Sequence, residues 1–285
     1  MSRTLRTQIA QETVRILEQK RYANPAGQSI SIARELDACL AGTQLIALDD
    51  WAALESRVAK QLALRPQSRP ADLHVYSETT FRTCQRWVAD QNLQNVACLN
   101  FASAKNPGGG FLAGSQAQEE ALSRASGLYA SLLTSSGYYE FNRKSGTCLY
   151  SDHMIWSPGV PVIRDDADQL LPQPYIVSII TSPAVNAGCI RTNEPKRIPE
   201  IGKVMRVRAR KVLALAVDQG VEHLVLGAWG CGVFANDPTE VAEIFAELLK
   251  PGGEFATAFT QVAFSVPGGG ASSGNLAAFE RIFHR

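Results

Sequence analysis

Three consecutive glycines, Gly108, Gly109 and Gly110, stand between an apolar run and an amphipathic one, and this feature restricts the possible folds most. The apolar run at 96–99 has the composition of a buried strand, and the apolar residues over 119–134 are spaced for one face of a helix. Because glycine has no Cβ, the intervening backbone reaches positive φ and lets a ligand approach its amides. The order of strand, glycine loop and helix therefore predicts a site for a phosphate or a ribose.

Two adjacent acids, Glu119 and Glu120, occupy the first turn of that helix, directly after residues 105–117, which we call the first glycine loop. Successive helical side chains diverge by about 100°, so both carboxyl groups approach one ligand from different angles. Cleavage of a sugar acetal bond needs an acid for the leaving oxygen and negative charge near the cationic sugar. Ordinary first-turn acids at the positive end of a helix dipole are the alternative. The glycines and the Asn106–Pro107 turn favour the catalytic interpretation.

Composition is that of an ordinary soluble globular protein, with 45% hydrophobic residues, 19% charged residues and a net charge of +1 over 285 residues. The positive charge is dispersed, so nucleic acid is not expected as a direct partner. Residues 1–6 lack the apolar core of a secretory signal, and no run approaches the roughly 18 apolar residues of a membrane span. We therefore expect a cytoplasmic protein that does not associate with membranes.

The cysteines are scattered and form no CxxC pair, which indicates neither a zinc site nor a disulfide framework. Most are expected to be buried thiols, because their neighbours are apolar. The sequence accordingly predicts no metal and no cofactor. The six cysteines are Cys39, Cys84, Cys98, Cys148, Cys189 and Cys231.

From Asp72 onward the predicted strands and helices alternate, which is typical of an α/β fold with a largely parallel sheet covered on both faces. Residues 1–70 precede this alternation and are interpreted as a helical accessory segment packed on a main domain at 71–285. The stretch at 65–70, Arg-Pro-Gln-Ser-Arg-Pro, is the candidate linker. Residues 137–174 are rich in Tyr, Pro and Gly and predict an excursion from the sheet with short strands.

A basic helix is predicted over 195–219, where Arg206, Arg208, Arg210 and Lys211 cluster. Such a cluster could form a nucleic-acid patch or a solvated helix face. The solvated face is favoured, because valine and leucine residues at helical spacing supply the inward side.

Residues 230–236, which we call the second glycine loop, also join a predicted strand to a predicted helix. The spacing Gly230-x-Gly232-x-x-Ala235 matches the dinucleotide-binding fingerprint, but the acid required after the next strand is missing. The Walker A pattern fails as well. Amides at a helix N-terminus still bind a diphosphate without lysine. The predicted diphosphate contacts are Gly230, Cys231, Gly232, Val233, Phe234, Ala235 and Asn236.

Both glycine loops follow strands that the fold class makes parallel, so they are expected to face one crevice at the carboxyl ends of the sheet. One loop would hold a diphosphate and the other a ribose beside two glutamates. This combination describes an ADP-ribose site with hydrolytic carboxylates. Phe234 either packs on a ribose or belongs to the core, and both interpretations stay open.

The sequence resembles the bacterial-type poly(ADP-ribose) glycohydrolases, whose catalytic fold is a macrodomain, a three-layer α/β/α sandwich. The signature of that family is three glycines, a spacer of six to eight residues and Gln-Glu-Glu, which correspond here to 108–110 and 118–120. The resemblance covers roughly residues 72–285. Further matching segments are Asn100–Ser103, Ser157–Asp165, Ile180–Ala184 and Gly227–Pro238.

The resemblance implies roles for residues at matching positions. Glu120 corresponds to the catalytic acid, Glu119 to the residue that orients the ribose hydroxyl, and Phe234 to the residue that packs on the distal ribose. Adenine contacts are expected among Glu78–Thr79 and Asn275–Phe279. Further substrate-binding candidates are Asn106, Gly108, Gly109, Gly110 and Gln118.

The implied reaction is hydrolysis of the ribose–ribose bond of poly(ADP-ribose), free or on ADP-ribosylated proteins, with ADP-ribose released from chain ends. Glu120 would protonate the leaving 2′ oxygen and then accept a proton from water. A helix N-terminus favours the ionised carboxylate, so burial and the like charge of Glu119 would have to raise the pKa of this acid.

Other functions use the same loops. A hydrolase for mono-ADP-ribosylated protein or a small ADP-ribose metabolite is the first alternative. A non-catalytic ADP-ribose reader is the second, although a reader would be expected to lack the paired acids. A domain that binds the phosphates of an unrelated nucleotide is the third.

Overall fold

The structure is a computed structural model that describes residues 1–64, 69–269 and 273–284. The strands are β1 (Arg21–Ala23), β2 (Ser29–Ser31), β3 (Gln44–Ile46), β4 (Asp72–Tyr76), β5 (Val96–Phe101), β6 (Met154–Arg164), β7 (Leu170–Ser182), β8 (His223–Leu226) and β9 (Gln261–Ser265). The helices are α1 (Arg3–Gln19), α2 (Ala33–Gly42), α3 (Trp51–Leu64), α4 (Thr80–Gln85), α5 (Gln118–Ala125), α6 (Leu128–Leu133), α7 (Ser136–Lys144), α8 (Ala187–Asn193), α9 (Ile201–Asp218), α10 (Pro238–Leu249) and α11 (Ser273–Phe283).

A seven-stranded sheet in the order β3-β6-β7-β5-β8-β9-β4 forms the centre of the molecule. The pairs from β7 through β5, β8 and β9 to β4 are parallel, whereas β6 is antiparallel to both of its neighbours. The predicted α/β class with a mixed, largely parallel sheet is therefore confirmed. Because parallel strands end at the same edge, the loops after β5, β8 and β9 lie side by side.

Helices cover both faces of the sheet, which creates two apolar cores. Alternate residues of β5 belong to opposite cores: Ala97 and Leu99 to the core that includes residues of α3, α9 and α10, and Val96 and Cys98 to the core that includes residues of α4, α5 and α6. This burial on both faces explains the continuous apolar run of β5. Among the helices in the described residues, none combines the length and apolarity needed to cross a lipid bilayer.

The single helix predicted over 119–134 is interrupted in the structure. Ser126 is extended and forms a bridge with Val162, and the Gly127 amide donates to the Pro161 carbonyl at 2.9 Å. Pairing with β6 replaces intrahelical bonds here, so the segment becomes two short helices, α5 and α6. The prediction was wrong because this pairing partner is distant in sequence.

Residues 1–70 contribute to the main sheet and do not only pack on it. Strand β3 forms the sheet edge and is antiparallel to β6, and α3 packs against α9. The division into a segment at 1–70 and a domain at 71–285 stays a prediction. The first four residues of the proposed linker, 65–68, lie outside the described residues.

The stretch at 137–174 is more regular than predicted. It contains helix α7 and most of a long antiparallel hairpin, β6 with β7, whose register shifts near Ser157–Val160. Pro and Gly in β6 are tolerated at this irregularity, as in bulged strands. Composition alone therefore predicted an excursion with short strands where tertiary pairing forms long ones.

Two cations of the basic helix are not on a solvated face: Lys211, whose side chain is 16% exposed and pairs with Asp152 at 2.8 Å, and Arg208, which is buried more deeply. Arg208 is 1% exposed, and its guanidinium donates to Asp152 Oδ1 at 2.8 Å and to the carbonyl oxygens of Leu149 and Pro183, each at 3.0 Å. The prediction of a wholly solvated cluster was wrong for these two residues. A buried cation needs such partners, because burial without them is costly.

The cysteines also depart from the expectation, because Cys148 and Cys189 form a disulfide with a Cα–Cα distance of 6.0 Å. They are 41 residues apart in sequence, so spacing offered no sign of the pair. The expectation of free thiols holds for Cys39, Cys84 and Cys98, which are buried, and for the partly buried Cys231.

Candidate active site

An open cavity of about 1160 Å³ lies at the carboxyl ends of the parallel strands. The residues that follow β5, β8 and β9 contribute to its lining, and the turn at 165–168 adds a further wall. The structure therefore brings both glycine loops to one cavity. The predicted site residues that line it are Asn106, Gly109, Gly110, Gln118, Glu119, Glu120, Gly230, Gly232, Val233 and Phe234.

The first glycine loop needs glycine for two separate reasons. Gly108 and Gly109 have φ angles of +68° and +60°, which side chains other than glycine rarely adopt. In addition, a Cβ at Gly109 would collide with Oε1 of Glu120 and lie 3.3 Å from Oε2 of Glu119. Both carboxyl groups thus converge on the bare backbone of Gly109.

Glu120 is partly exposed to the cavity. Its Oε1 accepts a hydrogen bond from the Gly110 amide at 3.0 Å. Within the described residues, this is the hydrogen bond that holds the carboxyl group. One attachment leaves the group free to exchange a proton with a bound molecule.

Glu119 is held much more firmly, because it is 2% exposed and both of its oxygens accept hydrogen bonds. Oε2 accepts from the Ser103 amide at 2.6 Å, and Oε1 accepts from the side-chain amide of Asn100 at 3.2 Å. The pKa of Glu119 is raised to about 8, chiefly by burial; the hydrogen bonds reduce this rise, and the charge of Glu120 adds to it. Desolvation therefore outweighs the helix N-terminus at this position.

Gln118 lines the cavity, but its side chain is engaged within the protein. Its Oε1 accepts from the Phe101 amide at 2.8 Å, and its Nε2 donates to the Leu99 carbonyl at 2.7 Å and to Thr80 Oγ1 at 3.1 Å. These bonds attach the first turn of α5 to the end of β5. The arrangement makes Gln118 a positioning residue for Glu119 and Glu120.

The second glycine loop presents free backbone donors. Within the described part of the chain, the amide groups of Gly232, Val233 and Phe234 donate to no other atom. Three adjacent N–H groups near the start of α10 are suited to the oxygens of a diphosphate. Val233 is 86% exposed, so its backbone is open to a ligand.

The other three predicted residues of this loop, Cys231, Ala235 and Asn236, do not line the cavity. Two of them stabilise the loop conformation through hydrogen bonds. Asn236 is buried, and its side-chain amide donates to the carbonyl oxygens of Val185 at 2.7 Å and Gly230 at 3.1 Å. Ala235 has a φ of +54° and donates its amide to the Gly232 carbonyl at 2.9 Å. Burial raises the pKa of the Cys231 thiol to about 12.

Several lining residues were not predicted from the sequence. Tyr150 has a φ of +57°, and its ring lies 5.9 Å from the ring of Phe234.

Asp166 accepts a hydrogen bond from Thr79 Oγ1 at 2.7 Å, and burial raises its pKa. Arg124 and Asp168 form a buried ion pair at 3.3 Å that connects α5 to the turn at 165–168. The three aspartates in the sequence of that turn were the feature from which its place in the site could have been predicted.

The adenine candidates separate into two groups. Thr79 and Asn275 line the cavity. Glu78 instead pairs with Arg86 and accepts from Thr83 Oγ1, and Phe279 is fully buried with its ring 5.3 Å from that of Phe264. The structure therefore leaves Thr79 and Asn275 as candidates at the rim.

Comparison with known proteins connects this geometry to a family. A family model described as "Microbial-type PARG, catalytic domain" matches residues 10–165. A comparison with curated protein sequences gave no match. The structure is similar to poly(ADP-ribose) glycohydrolase (PARG) from Thermomonospora curvata, with 48% identity over 98% of this chain and 100% of that chain and a TM-score of 0.91.

Two ligand-bound structures are also similar. The Thermomonospora curvata glycohydrolase bound to the inhibitor ADP-HPD has 47% identity over 98% of this chain and 99% of that chain, with a TM-score of 0.87. The Deinococcus radiodurans PARG in complex with ADP-ribose has 45% identity over 87% of this chain and 96% of that chain, with a TM-score of 0.80. With such identity over nearly the whole chain, the protein belongs to the microbial-type poly(ADP-ribose) glycohydrolase family.

Proposed function

We propose that this chain hydrolyses the ribose–ribose O-glycosidic bonds of poly(ADP-ribose), free or attached to proteins, and releases ADP-ribose. The observation that carries the proposal is the convergence of two carboxyl groups, Glu119 and Glu120, on Gly109 in the cavity that also contains the free amides of the second glycine loop. The first feature suits a glycosidic bond and the second a diphosphate.

ADP-ribose binds in the cavity in one orientation, with its adenine and its terminal ribose at opposite ends. The diphosphate binds the amides of 232–234, and the Phe234 and Tyr150 rings cover the ribose next to it. The adenine lies toward Thr79 and Asn275, on the side where β4 and β9 end. This orientation leaves the other ribose beside the two glutamates, where the bond to be cleaved is needed.

Glu120 acts as the general acid and base. Its carboxyl group donates a proton to the leaving 2′ oxygen, and the carboxylate then accepts a proton from the water that attacks the sugar. Held by one hydrogen bond among the described residues, from Gly110, this group has enough freedom for both steps. The substrate phosphates supply negative charge near the cationic sugar.

Glu119 orients the ribose. A carboxyl group with a pKa of about 8 keeps its proton at neutral pH and donates a hydrogen bond to a ribose hydroxyl. The bonds from Asn100 and Ser103 hold it in one position. A neutral Glu119 also avoids a second negative charge beside Glu120 after Glu120 has donated its proton.

The experiment compares poly(ADP-ribose) with a mono-ADP-ribosylated protein as substrates and quantifies the ADP-ribose released. We expect release from the polymer, with monomers as the first products because cleavage starts at chain ends. Glu120→Gln should lower kcat by about 10²–10⁴-fold, the usual contribution of general acid catalysis, and keep ADP-ribose binding. Glu119→Gln should mainly weaken binding.

The alternatives give different results. Turnover of the mono-modified protein alone would identify the other hydrolase class, and binding without turnover would identify a reader. Loss of turnover in Glu119→Gln with an active Glu120→Gln would reverse the two roles. We also place the protein in the cytoplasm, as its composition suggests, which cell fractionation tests.

A further inference from the structure

The Cys148–Cys189 disulfide joins two segments that reach the aromatic part of the cavity, where the rings of Tyr150 and Phe234 lie. It connects the segment before β6 to helix α8, and both cysteines are partly exposed. A dissolved reductant therefore has access to the bond. Nothing in the proposed catalytic steps uses it.

Helix α8 supports the second glycine loop. The Gly188 amide donates to the Phe234 carbonyl at 3.0 Å, and the Arg191 guanidinium donates to the Ala235 carbonyl at 2.8 Å. These bonds fix the position of the loop end at Phe234 and Ala235, next to the residues that carry the free amides. A shift of α8 would move these two carbonyl oxygens and displace the adjoining residues 232–234, whose amides are free within the described residues.

On the other side of the disulfide, Tyr150 follows Cys148 by two residues and packs its ring against Phe234. One covalent bond thus holds together the backbone that carries Tyr150 and the helix that holds Phe234. Two hydrogen bonds support it: the Asn186 amide donates to the Cys148 carbonyl at 2.9 Å, and the Cys148 amide donates to Glu194 Oε1 at 2.7 Å.

We propose that the Cys148–Cys189 disulfide is a redox-sensitive cross-link that positions Tyr150 and the second glycine loop for ADP-ribose. The inference rests on the proposed function, because it concerns the same cavity. A dithiol reductant breaks the S–S bond, supplies two electrons and two protons to the two sulfurs, and is itself oxidised to a disulfide. Reduction weakens ligand binding and leaves Glu119 and Glu120 in place.

The chemistry around the bond agrees with a reversible role. Disulfides in cytoplasmic proteins are usually transient or regulatory, because the compartment reduces them. The free thiol of the second glycine loop, Cys231, does not exchange with the disulfide. A thiol with a pKa of about 12 is protonated at neutral pH and is a poor nucleophile. The two hydrogen bonds that remain after reduction limit the movement, so the effect is moderate.

The test measures the Kd of ADP-ribose by calorimetry for the oxidised protein and for protein reduced with dithiothreitol. We expect the Kd to rise roughly three- to tenfold on reduction, within the usual range for coupled neighbouring sites. On poly(ADP-ribose), KM should rise by a similar factor while kcat changes less than twofold. Reoxidation should restore the original values, and alkylation with mass spectrometry should identify Cys148 and Cys189 as the reduced pair.

The double variant C148S/C189S is the matched control. It should bind ADP-ribose more weakly in the absence of reductant and show no change in Kd with dithiothreitol. If the variant does not fold, the Kd of the native protein before and after reversible reduction tests the proposal. An unchanged Kd with only a lower Tm would overturn the proposal, because the cross-link would then be merely structural. Binding without turnover would refute the hydrolase function alone, whereas no ADP-ribose binding in the oxidised protein would refute both.

Discussion

The carboxyl group of Glu120 occupies the space that a side chain at Gly109 would need. Gly109 has a φ of +60°, and a Cβ built on it would collide with Oε1 of Glu120. The absence of a side chain at this position is therefore part of the active-site geometry, and the glycine serves more than loop flexibility.

Substitution of Gly109 by alanine should remove activity more than stability. The new methyl group must displace the Glu120 carboxyl group, and misplacement by about 1 Å commonly costs on the order of 10²-fold in rate. The measurement is kcat on poly(ADP-ribose), with Tm as the stability readout. Gly146→Ala is the matched control, because Gly146 has a φ of +67° but no atom within 4 Å of an added Cβ. Equal loss of activity in both variants would contradict the steric explanation.

The pH dependence of stability should carry the signature of Glu119. Its folded-state pKa of about 8 exceeds the ordinary value of 4.5, so between these pH values the folded protein binds more protons than the unfolded chain. The free energy of unfolding contributed by this group therefore decreases as pH rises through that window and levels off above pH 8. Glu119→Gln removes the ionisation, so its stability relative to the native protein should increase with pH.

Denaturant titrations at several pH values between 5 and 8 would measure this difference. Glu140→Gln, which removes an exposed acid, serves as the control. A stability difference between Glu119→Gln and the native protein that stays constant with pH would show that the Glu119 carboxyl group is not buried as described.

Gln118→Leu should affect both stability and rate. The change removes the side-chain partner of the Phe101 amide and of the Leu99 carbonyl, at a cost of about 0.5–1.5 kcal/mol for each of these partly buried hydrogen bonds. It also detaches the first turn of α5, so kcat should fall although Gln118 performs no chemistry. Chemical denaturation and steady-state kinetics measure the two effects. Gln11→Leu, on the exposed face of α1, should change neither.

Arg208 provides a stability prediction remote from the site. Among the described residues, Arg208→Met leaves Asp152 paired with Lys211 alone and removes the donor to the Leu149 and Pro183 carbonyl oxygens. Loss of one member of a buried pair typically costs about 3–5 kcal/mol. Arg206→Met removes an exposed pair with Glu247 and should cost about 0–1 kcal/mol. Urea denaturation of both variants measures the contrast, and similar costs would contradict the buried interpretation of Arg208.

Local patterns predicted a good part of this protein. Short-range sequence determines some elements, and these were predicted: the strand before Gly108, the start of the helix near Glu119 and the start of α10 at Pro238. The predictions failed where a distant partner decides the structure. Ser126 leaves its helix to pair with Val162, and Arg208 is buried because Asp152 lies next to it.

The identity of both glycine loops and of the acid pair needed only the order of residues along the chain. Their meeting in one cavity depended on the tertiary structure, because β5 and β8 are far apart in sequence and become neighbours only by parallel pairing. The same holds for the burial that raises the pKa of Glu119 and for the Cys148–Cys189 bond. Each arises from contacts between distant segments, which no local pattern records.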